Sequence, residues 1–146
     1  MEILIRRITH DDRETWFQMR KGIWPEAPEH YLRFDMDGIL ASERDAVFLA
    51  FAGGNPIGMI ETRLRDYGEG CVTSPVGYLE AWFVIPEFRG MGVAEKLAVT
   101  AEDWAREKGC AEMASDTWLD NEPSIRAHFK AGYHEVERLV HFVKKL

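Results

Sequence analysis

Two glycines, Gly90 and Gly92, stand between an apolar run that ends at Ile85 and an amphipathic run that begins at Val93. Pro75 to Ile85 is rich in aromatic and branched residues and predicts a long strand. From Gly90 to Lys108, residues Val93, Leu97, Ala101, Trp104 and Lys108 recur at helical spacing, and Gly109 closes the run. The chain must therefore turn from strand to helix through a loop marked by Pro86 and the two glycines. Such a loop gathers backbone N–H groups at a helix N-terminus, where they lack intrahelical partners and the peptide dipoles add partial positive charge. That suits an anion, and glycine lets backbone approach it without a Cβ in the way. A diphosphate is a natural ligand. The loop lacks the Gly-Lys-Ser/Thr ending of a P-loop, and Glu95 stands where a dinucleotide fingerprint has its third glycine.

The rest of the chain alternates short elements. Glu2 to Ile8 reads as a strand, with Ile3 and Ile5 alternating with polar residues. Thr9 and Asp12 mark a helix start, and Trp16, Phe17, Met19 and Arg20 fit a short helix. Gly22, Pro25 and Pro28 break it, and a second helix follows from about Glu29 to Ser42. Ala46 to Ala52 and Pro56 to Arg65 read as strands joined by a Gly53-Gly54-Asn55 hairpin turn. Beyond the long helix, Ala111 to Ser115 reads as a brief strand, Asn121 to Ala131 as a helix ending at Gly132, and Tyr133 to Val143 as a last strand. The order β-α-α-β-β-β-α-β-α-β predicts an α/β (α+β mixed) fold, with a mixed sheet of six or seven strands flanked by about four helices. At 146 residues the chain fits one domain, 1–146.

Charge and cysteine usage narrow the partners. The formal charge is −7, from 25 acidic and 18 basic residues. A nucleic-acid binder needs a basic face, so none is expected, whereas a cationic partner is compatible. No run of about 18 apolar residues is available to span a membrane, and the charged start of the chain does not read as a signal peptide. Cys71 and Cys110 have neither metal-ligand spacing nor an evident activating neighbour. We expect no metal, no disulfide and a cytoplasmic location.

Arg89-Gly90-Met91-Gly92-Val93-Ala94 matches the Arg/Gln-x-x-Gly-x-Gly/Ala pattern of the GNAT superfamily of N-acetyltransferases. The preceding Val84-x-Pro86-Glu87-Phe88 and the later Asn121 to Tyr133 segment extend the match. This resemblance implies acetyl-CoA as cosubstrate. Its pyrophosphate would rest on the amides of Arg89, Gly90, Met91, Gly92, Val93 and Ala94, and its pantetheine arm would pair with the backbone of Trp82, Phe83 and Val84. An unpaired N–H there would polarise the thioester carbonyl. Asn121 matches the position that reaches the cofactor arm from the last helix.

Within the superfamily the chain resembles aminoglycoside 6'-N-acetyltransferases. The likeness rests on Ile23-Trp24-Pro25, Thr73-Ser74-Pro75-Val76-Gly77-Tyr78-Leu79-Glu80, Ala114-Ser115-Asp116, Leu119-Asp120-Asn121 and Glu135-Val136-Glu137-Arg138, spread over nearly the whole chain. It implies antibiotic resistance as the role and carries substrate contacts to Trp24, Tyr67, Glu80, Asp116 and Glu137. The chemistry agrees: a polycationic sugar suits a carboxylate-lined pocket with aromatic faces. Trp24 and Tyr67 also read as packing aromatics, and Glu137 as a solvated charge. Glu80 is the first candidate for accepting the amine's proton and Asp116 the second. His128 replaces the tyrosine that many GNAT enzymes use to protonate the leaving thiolate; it reads as that acid or as a packing residue. The family commonly forms homodimers through C-terminal strands, so a homodimer is expected. The competing readings are acetylation of another amine (polyamine, peptide or metabolite) and a non-catalytic acyl-CoA-binding module.

Overall fold

The computed structural model describes every residue from Met1 to Leu146. Five strands lie side by side in chain order: β1 (Ile3–Arg7), β2 (Asp45–Ala52), β3 (Asn55–Arg65), β4 (Val76–Val84) and β5 (Met113–Ser115). The first four pair antiparallel, and β5 joins β4 in parallel. The mixed sheet is thus as expected, but it has five strands rather than six or seven. Gly53 and Gly54 both have positive φ, the backbone that a tight β2–β3 hairpin demands.

Four helices cover the sheet: α1 (Arg13–Ile23), α2 (Glu29–Ala41), α3 (Val93–Glu107) and α4 (Glu122–Lys130). Alternation along the strands sends one set of side chains to each face. Val47, Leu49, Met59 and Ala81 pack against Trp16, Phe17, Met19, Leu32, Met36 and Ile39 of α1 and α2. Ala50, Ile57, Ile60, Leu79 and Val84 meet Val93, Leu97 and Ala101 of α3 on the other side.

The α1 face encloses a buried ion pair. Glu61 accepts from Arg20 Nε at 2.7 Å, from Arg20 Nη2 at 3.1 Å and from Trp16 Nε1 at 2.8 Å. Arg20 Nη1 donates to the Leu32 carbonyl at 2.9 Å. Each guanidinium nitrogen and both carboxylate oxygens of the pair are therefore engaged, as a buried charge pair requires.

The predicted strand Tyr133–Val143 does not form; residues 134–146 have no regular structure. Their strand-like pattern is real, since Val136, Val140 and Phe142 alternate with Glu137 and His141. A strand needs a hydrogen-bonding neighbour, and within one chain this segment finds none.

Candidate active site

The β4/β5 ladder is only three pairs long and ends at Leu79 and Ser115. Beyond that pair the two parallel strands part, and the fork carries Glu80 on one branch and Asp116 on the other. A β-bulge shapes the first branch. Thr62 faces Leu79 and Glu61 faces Ala81, so Glu80 has no cross-strand partner on β3. Such a bulge re-aims a side chain.

Glu80 uses both carboxylate oxygens on Arg65, accepting from Nε and Nη2 at 2.7 Å each. The same guanidinium lies 3.6 Å from the centre of the Tyr78 ring. Tyr78 Oη donates to Asp116 Oδ2 at 2.5 Å. Burial, and then that carboxylate, push the Tyr78 hydroxyl's pKa well above its ordinary value, so it stays a donor. Arg65, Glu80, Tyr78 and Asp116 thus form one connected cluster at the fork. Asp116 is exposed and keeps its second oxygen free of protein partners.

Between β4 and α3 the loop forms a short 3-10 turn, Pro86–Phe88, and then two left-handed glycines, Gly90 at φ 78° and Gly92 at φ 84°. Gly92 is the N-cap of α3, and no side chain caps it. First-turn amides are therefore presented outward, as anion binding requires. The Arg89 side chain turns back instead: Nε donates to the Val84 carbonyl at 2.8 Å, and its guanidinium lies 5.6 Å from the Phe83 ring centre. Trp82 ties the fork to this loop, with Nε1 donating to the Ala94 carbonyl at 3.1 Å. Exposed Met91 and buried Val93 complete the turn.

On α4, Asn121 caps the helix by accepting from Ser124 N at 3.3 Å, which leaves its NH2 group free to donate. His128 is half-buried, its ring edge-on to Trp82 and Tyr133 at 5.1 and 5.9 Å. Its Nε2 lies 2.7 Å from Ser115 Oγ and its Nδ1 2.7 Å from the Ser124 carbonyl.

The remaining substrate candidates are less gathered. Trp24 is half-buried against the α1–α2 core, with Arg20 over its ring at 5.1 Å. Tyr67 stands exposed in the β3–β4 loop. Glu137 lies exposed in the irregular segment. Its neighbour Val136 packs on the Tyr67 loop: a Cβ at Gly70 would stand 2.9 Å from Val136. No three His, Cys, Asp or Glu side chains gather as metal ligands.

Sequence reasoning missed Arg65, Ser115 and the functional place of Tyr78. Tyr78 was findable, because it sits two residues before Glu80 and so shares its strand face. Arg65 was not, since its pairing depends on the β3/β4 register.

Residues 6–133 match the model of the acetyltransferase (GNAT) family. The chain is 41% identical to the aminoglycoside N(6')-acetyltransferase type 1 of Stenotrophomonas maltophilia, over 94% of this chain and 90% of that one. It is 39% identical to the protein of that name from Salmonella enteritidis, over 97% and 98%. Among solved structures it matches AAC(6')-Iy in complex with the bisubstrate analog CoA-S-monomethyl-acetylneamine, at TM-score 0.94 and 37% identity, over the full length of both chains. It also matches AAC(6')-Ih from Acinetobacter baumannii, at TM-score 0.91 and 35% identity over 99% of each. With a family model spanning most of its length and relatives of one kind along nearly all of it, the chain belongs to the GNAT acetyltransferases, in the group of the aminoglycoside 6'-N-acetyltransferases.

Proposed function

We propose that this chain transfers the acetyl group of acetyl-CoA to the 6'-amine of aminoglycoside antibiotics and so confers resistance to them. The observation that carries the reading is the carboxylate pair Glu80 and Asp116 at the mouth of the β4/β5 fork. Two features fit acetyl-CoA: the uncapped, glycine-opened start of α3 and the β4 backbone beyond Leu79, which has β3 on one side and no β5 neighbour on the other. Once bound, the thioester supplies an electrophilic carbonyl.

The chain's own residues then have three tasks. The first is to hold a cation. Asp116 meets an ammonium with its open oxygen while Tyr78 fixes the other. The second is to relieve that ammonium of a proton. An amine with an ordinary pKa of ~10.4 is neutral about once in 10³ to 10⁴ molecules at pH 7, a cost of roughly 4–5 kcal/mol. Asp116 has an accepting oxygen ready, whereas Glu80 takes a proton only as Arg65 gives up an oxygen, or through water. The third is to return a proton to the departing sulfur, and His128 stands behind the fork for that.

We also place the chain in a homodimer in the cytoplasm. Val140, Phe142 and Val143 are 70%, 93% and 97% exposed, an apolar strip with a strand-like pattern and no cover within its own chain. β5 is a three-residue edge strand able to accept a neighbour. No helix is long and apolar enough to cross a membrane, and both cysteines are free thiols. Light scattering should give twice the chain mass, and the doubly altered Phe142→Ser, Val143→Ser chain a monomer; a monomeric unaltered chain overturns this.

The test of function is thiol release from acetyl-CoA with tobramycin, with its 6'-hydroxyl counterpart and with spermidine. Turnover with tobramycin alone is expected. Turnover with spermidine alone moves the substrate to a metabolic amine, and no turnover with any of the three overturns the proposal.

A further inference from the structure

We infer that Ser115 is the catalytic group that hands a proton to the leaving sulfur, with His128 as the proton source behind it. This rests on the acetyltransferase reading above and deepens it.

The Ser124 carbonyl can only accept, so His128 Nδ1 at 2.7 Å must carry its hydrogen. Nε2 faces Ser115 Oγ at 2.7 Å. Both ring nitrogens are thus engaged, and the indole of Trp82 and the phenol of Tyr133 flank the ring. His128 therefore reaches the fork only through Ser115.

Ser115 stands where the chemistry needs a donor. It belongs to the last β4/β5 pair, and its Oγ lies 3.3 Å from the Leu79 carbonyl at the root of the fork. Other hydroxyls nearby are committed. Tyr133 Oη donates to Glu102 Oε2 at 2.8 Å, and burial, then that bond, hold its pKa far above the ordinary range. Tyr78 Oη is spent on Asp116.

The step balances. In the charged ring both nitrogens carry hydrogen. As the carbon–sulfur bond breaks with its electron pair going to sulfur, Ser115 Oγ–H passes its proton to sulfur. Nε2–H refills the serine oxygen in the same motion, so no free alkoxide forms. The ring is left neutral, with Nδ1–H on Ser124 and Nε2 accepting from Ser115. Solvent then returns a proton to the ring.

The experiment compares the unaltered chain with Ser115→Ala, Ser115→Thr, His128→Gln and the Ser115→Ala, His128→Gln pair. Removing a general acid should lower kcat by about 10²-fold or more, with KM for both substrates changed far less. Ser115→Thr keeps the hydroxyl and should recover at least a tenth of the lost rate. The double variant should be no worse than Ser115→Ala, because residues acting as one unit are not additive. One kinetic readout lies beyond what a structural strap would move. The solvent deuterium isotope effect on kcat should change in Ser115→Ala. Nitrogen NMR of the ligand-free chain should show Nδ1-protonated His128, with an Nε2 resonance that shifts in Ser115→Ala. Unchanged kcat in Ser115→Ala, additive losses in the double variant, or an Nε2-protonated tautomer overturns the relay while leaving the function standing. Absence of transfer by the unaltered chain overturns both.

Discussion

Replacing Glu61 by glutamine should unfold the α1 face of the sheet from within. The side chains of Glu61 and Arg20 are 5% and 4% exposed, and the pair is joined at 2.7 and 3.1 Å. Glutamine keeps the volume and one acceptor but leaves the buried guanidinium only the exposed Asp35 carboxylate, 3.9 Å from Nη1, as a counter-charge. Breaking such a pair costs about 3–5 kcal/mol. For a chain of this size that lowers Tm by about 9–20 °C, at ~3–4 °C per kcal/mol. The informative comparison is the double change Arg20→Met, Glu61→Leu. Both charges then disappear together, and apolar replacement of a buried pair is often close to neutral. What remains is the stranded Trp16 indole, worth about 1–3 kcal/mol. The double variant should thus melt above Glu61→Gln, although it carries more changes. Thermal denaturation by circular dichroism measures all three chains. Double-variant losses equal to or larger than those of Glu61→Gln would refute the idea that charge burial, rather than packing, dominates here. Arg20 also lies over Trp24, so the double variant should raise KM for the aminoglycoside more than KM for acetyl-CoA.

Asp116→Asn keeps an oxygen for Tyr78 but loses the accepting charge; steady-state kinetics should show kcat down about 10²-fold with stability within about 1 kcal/mol. Gly92→Ala forces a side chain into φ 84° with open space around the new Cβ; it should cost about 1 kcal/mol in denaturant unfolding and weaken CoA in a direct titration. Asp12→Asn should matter only away from acid. Hydrogen bonds from Arg6 first, outweighing burial, hold the Asp12 carboxyl's folded pKa well below its unfolded value of about 3.9. That stabilisation is complete above the unfolded value and fades as pH falls through the folded one. The Tm gap between the two chains should therefore be widest near neutral pH and close in acid.

The elements with strong local signals were legible. Val93, Leu97, Ala101 and Trp104 announce α3, and each is buried. The Gly53-Gly54 pair announces the hairpin because only glycine takes positive φ at both central positions without strain. Gly22 reads as part of the helix break, and α1 does end one residue later, at Ile23. In the structure α1 runs through it, and a Cβ there would stand 2.6 Å from the Phe83 ring, so it serves close helix–sheet packing. The 133–143 segment misled. Its alternation specifies a strand's faces but not a partner, and pairing is a property of two segments.

The site divides along the same line. Candidate acids at the fork, the glycine turn and the histidine on the last helix could be named because each sits within a few residues of a recognisable local pattern. What those residues do is decided by partners far away in the chain. Arg65 claims both oxygens of Glu80, the first candidate for the base, and leaves Asp116, the second, with the open acceptor. Ser115 and Ser124 occupy the two ring nitrogens of His128 at 2.7 Å each. Arg89, the cation of the loop, spends its Nε on the Val84 carbonyl. In each case the residue type was readable and its protonation role was not. That role depends on hydrogen-bond partners set by strand register and helix docking, so chemistry at this fork has to be argued from the folded pairings.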